Sequence, residues 1–168
     1  PALIKVAKTK ATRLPVKFKV QNVATMNFNQ PFDAAICMLS TFGELPYQPM
    51  LGRLKQFLKP GGIFIIDSRS WAKIPKGKQP GGETRIKKGG MLILSKVEEY
   101  FRGNKRVRDI TYTFNGKIFK DKIVTEIFTQ ERLVALLRKF GFMLRKVFYD
   151  YSFQKTGQER ARRVQLVF

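Results

Sequence analysis

The chain has 168 residues, 43% of them apolar, which suffices to bury a core within one folding unit. It holds no histidine and a single cysteine, Cys37, so a histidine-based triad, a zinc site and an internal disulfide are all excluded. Lysines and arginines number 33 against 12 aspartates and glutamates, a net charge of +21 spread along the whole chain.

Such an excess fits two readings equally well. Phosphates of a polyanion such as RNA reward each cation through counterion release, and a solvated surface needs no partner at all. The lone cysteine favours a reducing compartment and hence a cytoplasmic location. The longest apolar run, Ala34–Leu39, is strand-sized, so no membrane span is expected, and "PALIKVAKTKATRLP" carries no signal-peptide pattern.

Leu3, Ala7, Ala11 and Leu14 recur at helical spacing and predict an amphipathic helix over residues 2–14, with Pro1 in its first turn and Pro15 ending it. "VKFKV" (Val16–Val20) alternates apolar and basic residues, the pattern of a half-exposed edge strand. "FDAAICML" (Phe32–Leu39) reads as a strand buried on both faces. Met50, Leu51, Leu54, Phe57 and Leu58 form a helical stripe, and Gly61-Gly62 leads into "IFII" (Ile63–Ile66), a second buried strand. Strand, helix and strand in this order predict a right-handed parallel crossover.

Residues 71–90, rich in Lys, Gly and Pro, read as a loop. Three strand-like runs follow, Met91–Phe101, Arg106–Phe114 and Lys117–Phe128, joined at Gly103-Asn104 and Asn115-Gly116. Such pairs supply the positive φ angles of tight hairpins, so a three-stranded antiparallel meander is expected. Thr129 is placed to cap a helix carrying Leu133, Leu136, Leu137 and Phe140, which Gly141 ends. Phe142–Phe153 and Arg162–Phe168 complete the chain as a hairpin around Lys155-Thr156-Gly157. The expected division is therefore a first core part over residues 1–70, the inserted meander over 71–128 and a second core part over 129–168.

The order of "PFDAAICMLSTFGEL", "LKQFLKPGGIFIID" and "FTQERLVALLRKFGF" resembles the downstream portion of a class I S-adenosylmethionine-dependent methyltransferase, of the kind with a sheet inserted over the substrate pocket. The resemblance covers essentially the whole chain and implies a Rossmann-like α/β fold, mostly parallel with a closing antiparallel strand. The family's strand order is 3-2-1-4-5-7-6, with a Gly-rich cofactor loop after strand 1. No such loop precedes the first helix here, so strands 1 and 2 are missing and Val16–Val20 would correspond to strand 3. Removing two neighbours would open a gap of about 14 Å between strands 3 and 4. Another chain, a missing N-terminal segment, or collapse of strand 3 onto strand 4 would resolve it.

The resemblance also implies a cofactor, S-adenosylmethionine, and places it. Gln21, Asn22 and Val23 stand where the family contacts the adenine, although an Asn after a strand is also an ordinary turn residue. Met38 and Leu39 end the strand that points at the methyl end, with Ser40, Thr41 and Phe42 toward the acceptor. Asp67, Arg69 and Trp71 follow the next strand on the same rim; a strand-terminal Asp is also commonly a turn or cap residue. Methyl transfer needs alignment and exclusion of water more than acid–base groups, so no catalytic residue is singled out. Tyr100, Tyr112, Tyr149 and Tyr151 fit cross-strand packing, and Cys37 fits the core. An Asn/Asp-Pro-Pro-aromatic signature is missing after the strand, which points away from exocyclic base nitrogens as acceptors. The expected function is methyl transfer to a small molecule. The alternative is a non-catalytic or RNA-directed subunit of the same fold that binds RNA or a ribonucleoprotein through its basic surface.

Overall fold

The computed structural model describes residues 2–88, 90–153 and 161–168; Pro1 and Lys155-Thr156-Gly157 lie outside them. Helix α1 (Ala2–Lys10) forms where the helical spacing placed it, but four residues shorter than expected, and it buries none of its residues. Leu3 is 84% exposed. Val16–Val20 is not a strand. A ribbon gains its hydrogen bonds only from a neighbour, and among the described residues none lies alongside this segment. Neither the open gap nor the collapse onto strand 4 arises.

Strand β1 (Phe32–Cys37) leads through a 3-10 turn (Thr41–Glu44) to helix α2 (Tyr47–Phe57) and strand β2 (Leu58–Arg69), which runs parallel to β1 as predicted. Strand β2 begins at Leu58 rather than Ile63, taking up the Pro-Gly-Gly corner with Gly61 at φ +75° and a register shift opposite Phe32/Ala34. Strand β1 is not buried on both faces: Phe32 and Ile36 are exposed, because β1 borders the sheet.

Sheet B holds β3 (Gly77–Lys88), β4 (Met91–Arg102), β5 (Lys105–Phe114) and β6 (Lys117–Glu126), each antiparallel to the next. It has four strands rather than three, because residues 77–88 form a ladder with β4 instead of a loop. The Gly and Pro residues that argued for a loop sit at its register shift between Gln79 and Gly82, where Pro80 needs no amide partner on an edge strand. Both predicted hairpins hold: Arg102 pairs with Lys105 around Gly103 at φ +58°, and Phe114 pairs with Lys117 around Asn115 and Gly116 at φ +48° and +72°.

Helix α3 (Gln130–Lys139) starts at Thr129, whose hydroxyl accepts from the Arg132 amide, and it ends before Gly141 at φ +79°. Strands β7 (Lys146–Tyr149) and β8 (Arg163–Val167) then form the expected antiparallel pair, and β8 also pairs antiparallel with β2. The first of them is four residues long, far shorter than Phe142–Phe153, because Asp150 and Tyr151 turn the chain with φ of +50° and +58°.

Sheet A therefore reads β1-β2-β8-β7, the second half of the order expected from the resemblance. Its main core packs Leu51 and Leu54 of α2 and Leu133 and Leu137 of α3 against Phe64, Ile66, Val164 and Leu166 of the sheet, with Phe42 and Phe128 closing one end. Each such side chain contributes roughly 1.5–3 kcal/mol on burial. A second, smaller cluster of Trp71, Phe101 and Ile127 joins the two sheets. Among the described residues no helix is long and apolar enough to cross a membrane.

Candidate functional site at the carboxyl ends of β1 and β2

The chain leaves β1 through a tight, left-handed turn. Leu39 and Ser40 have φ of +59° and +64°, a conformation that costs a non-glycine residue about 1–3 kcal/mol and persists only when its surroundings dictate it. Three bonds from the end of β2 do so here. The Leu39 amide donates to Asp67 Oδ2 at 2.8 Å, the Ser40 amide to the Asp67 carbonyl at 3.0 Å, and the Arg69 amide to Ser40 Oγ at 2.9 Å. The Thr41 amide closes the turn on the Met38 carbonyl at 3.2 Å. Met38, Leu39, Ser40, Thr41, Asp67 and Arg69 are thus brought together at one end of the parallel pair, the edge where open α/β sheets bind ligands.

Asp67 has no exposed surface. Its Oδ1 accepts from Arg163 Nε at 3.0 Å and from Gln165 Nε2 at 2.8 Å, and Oδ2 accepts from Arg163 Nη2 as well as from Leu39. Burial pushes its carboxyl up, but hydrogen bonds from Arg163, Gln165, Leu39 and Tyr151 outweigh that and hold it below the usual carboxylate range. With both oxygens committed, Asp67 shapes the rim from beneath rather than reaching into it. Arg69 lies over the Trp71 ring at 4.6 Å, and Trp71 packs edge-on to Phe101 of sheet B at 5.6 Å. Trp71 therefore stands in the joint between the sheets.

Beside the turn a cleft of about 20 Å³, room for roughly one water, is lined by Ser40, Phe42, Ser68, Trp71, Thr125 and Glu126 among others. Phe42 forms its floor, stacked on Tyr47 and edge-on to Phe128, both at 5.6 Å. The roof comes from the end of β6. Thr125 Oγ1 donates to Glu44 Oε1 at 3.2 Å, and Glu126 Oε1 accepts from Asn104 at 2.8 Å and Arg132 at 2.5 Å.

Gln21, Asn22 and Val23 form a separate turn. Asn22 Oδ1 accepts from the Ala24 amide at 2.9 Å, and the Gln21 side chain brackets Asn27 with two bonds of 3.2 Å. Val23 packs against the core. The polar groups offered to an adenine are therefore engaged within their own loop in this structure.

Gly43, Thr125, Glu126, Arg163 and Gln165 were not singled out from the sequence. A Gly inside "STFGEL" is the one signal among them, since a glycine there marks close backbone approach. The others sit in ordinary strand patterns; Thr125 finds its partner 81 residues away and Arg163 and Gln165 theirs 96 and 98 residues away, and Glu126 is bonded from Asn104 across the sheet and from Arg132 of α3.

No family model matches the chain, and no curated protein matches it. Solved structures do. An S-adenosylmethionine-dependent methyltransferase from Clostridium acetobutylicum superposes with a TM-score of 0.75 at 16% identity, covering 99% of this chain and 70% of that one. The CcbJ methyltransferase from Streptomyces caelestis gives 0.77 at 15%, covering 98% and 69%. A sugar N-methyltransferase from a Streptoalloteichus species gives 0.72 at 18%, covering 99% and 67%. Identities this low speak to architecture, and the architecture is the one the motifs suggested: the described residues have the class I methyltransferase fold and form strands 4, 5, 7 and 6 of its sheet, with strands 1–3 not among them.

Proposed function

We propose that the chain is the acceptor-side portion of an S-adenosylmethionine-dependent methyltransferase that modifies a small molecule. The observation carrying this reading is the left-handed Leu39-Ser40 turn at the carboxyl edge of β1, held under strain beside a cleft roofed by the inserted sheet. The solved structures that share its fold include enzymes described as sugar and glycopeptide N-methyltransferases, which supports a small-molecule acceptor.

The cofactor is placed by these residues only in part. The backbone of Met38–Thr41 fits its methionine and methyl end, while in the Gln21–Val23 loop an adenine amino group would share Asn22 Oδ1 with the Ala24 amide. When bound, the sulfonium supplies an electrophilic methyl group. The chain's own work is then to orient the acceptor against the Met38–Thr41 rim and to exclude water with Phe42 and Trp71 beneath it. The remaining cofactor contacts belong to a polypeptide that pairs with the free edge of β1, either a preceding segment of a longer protein or another chain. A non-catalytic or RNA-directed role rests on the net charge of +21 and on the missing Gly-rich loop, with no recognised RNA-binding motif beside them.

Titration of S-adenosylhomocysteine into the isotopically labelled chain, alone and with the polypeptide that completes the sheet, tests the reading. Shifts are expected at the amides of Met38–Thr41. Binding with no shift there, or no binding to the completed sheet, refutes it.

A further inference from the structure

Two left-handed dipeptides, far apart in sequence, meet at one carboxylate. Leu39 and Ser40 follow β1; Asp150 and Tyr151, with φ of +50° and +58°, follow β7. The Leu39 amide donates directly to Asp67. The Tyr151 amide donates to Gln165 Oε1 at 3.0 Å, and Gln165 in turn donates to Asp67 Oδ1 at 2.8 Å. Arg163 crosses over from β8 to grip both carboxylate oxygens, while its own amide and that of Arg162 donate to Asp150 Oδ1 at 2.8 and 3.0 Å.

We propose that Asp67, clamped by Arg163, is a positioning residue that locks the Met38–Thr41 and Tyr149–Ser152 turns into one rigid rim, with Tyr151 forming the wall opposite Leu39. Four non-glycine residues in a strained region require a surrounding structure that over-determines them, and a single fully buried carboxylate paired with Arg163 does so for both turns at once. The side chains thus fixed do not enter the core. Leu39 is 73% exposed and Tyr151 54% exposed. Rigid backbone carrying exposed apolar side chains is the arrangement a ligand wall needs, because little ordering is left to be done on binding. The Asp67 charge is compensated by Arg163, so the rim takes an uncharged, apolar part of the ligand. What the rim serves rests on the methyltransferase reading; the coupling of the two turns does not.

Amide hydrogen exchange on the 168-residue chain tests it. In Asp67→Asn the Leu39 and Tyr151 amides are expected to exchange faster together, by about tenfold or more beyond any change in β4 and β5. A uniform acceleration of all protected amides, or a change at Leu39 without one at Tyr151, overturns the proposal. Should Asp67→Asn fail to fold, Gln165→Met keeps the side-chain volume and removes only the amide that links the Tyr151 backbone to Asp67. It is expected to move the Leu39 amide resonance across the shared carboxylate, and an unmoved resonance overturns the coupling. Neither measurement uses a ligand, so a failed cofactor titration and a failed coupling are read separately.

Discussion

Gly43 and Glu126 touch backbone to backbone: a β-carbon placed on Gly43 would overlap the Glu126 carbonyl oxygen. Here the end of β6 is seated on the 3-10 turn that follows β1, and the side chains of Thr125 and Glu44 bond beside it. A Gly43→Ala substitution must therefore push sheet B off the cleft. A loss of about 1–3 kcal/mol is expected in urea unfolding, together with weakened packing of Trp71 that its fluorescence reports.

Thr129 accepts from the Arg132 amide at the start of α3, the helix that carries Leu133 and Leu137 into the main core. Thr129→Ala leaves that amide unsatisfied. Chemical denaturation is expected to show a loss of about 1 kcal/mol, and Thr129→Ser to recover most of it.

Asp67 titrates lower in the folded chain than its ordinary value near 3.8. A depressed carboxylate contributes stability that is fully present above the unfolded value and is lost as pH falls through the lower, folded one. Unfolding measured from pH 6 downward should accordingly show an acid limb below about pH 4. Asp67→Asn removes that component of the limb while lowering stability at neutral pH by roughly 3–5 kcal/mol, because Arg163 loses its partner. Asp33 is also depressed, by its hydrogen bond to Lys59 and that lysine's charge, but both groups lie in solvent and add little.

Burial pushes the Cys37 thiol up to about 11, with the Asp67 charge acting in the same direction. At neutral pH almost none of it is thiolate. Iodoacetamide should label the folded chain far more slowly than the urea-unfolded chain, and full, rapid labelling of the native chain at pH 7 would count against this placement.

Where the local pattern and the final environment agreed, the sequence was readable. The apolar runs in "FDAAIC" and "GIFII" announced a parallel pair, and Asn115-Gly116 announced a turn that needs positive φ. Thr129 and Gly141 bracketed a helix that lies within one residue of its expected ends. Val16–Val20 and Gly77–Lys88 failed in opposite directions for one reason. Strand formation is decided by a neighbour, so a good alternating pattern without one stays irregular, and a Gly- and Pro-bearing stretch beside β4 joins the ladder. The site was half legible. Ser40, Leu39 and Asp67 were named as neighbours on one rim, yet neither Leu nor Ser signals a left-handed turn, and nothing local marks Arg163 as the partner of Asp67.

The bare border of β1 has a consequence for how the molecule behaves in solution. Unpaired amides and carbonyls beside exposed Phe32 and Ile36 invite a second copy to stack on, as any uncovered ribbon does. Like charges on neighbouring copies hold them apart, and at +21 that repulsion is strong. Its range shrinks to about 8 Å at physiological salt, so the chain's colloidal stability is borrowed from its electrostatics and weakens as ionic strength rises.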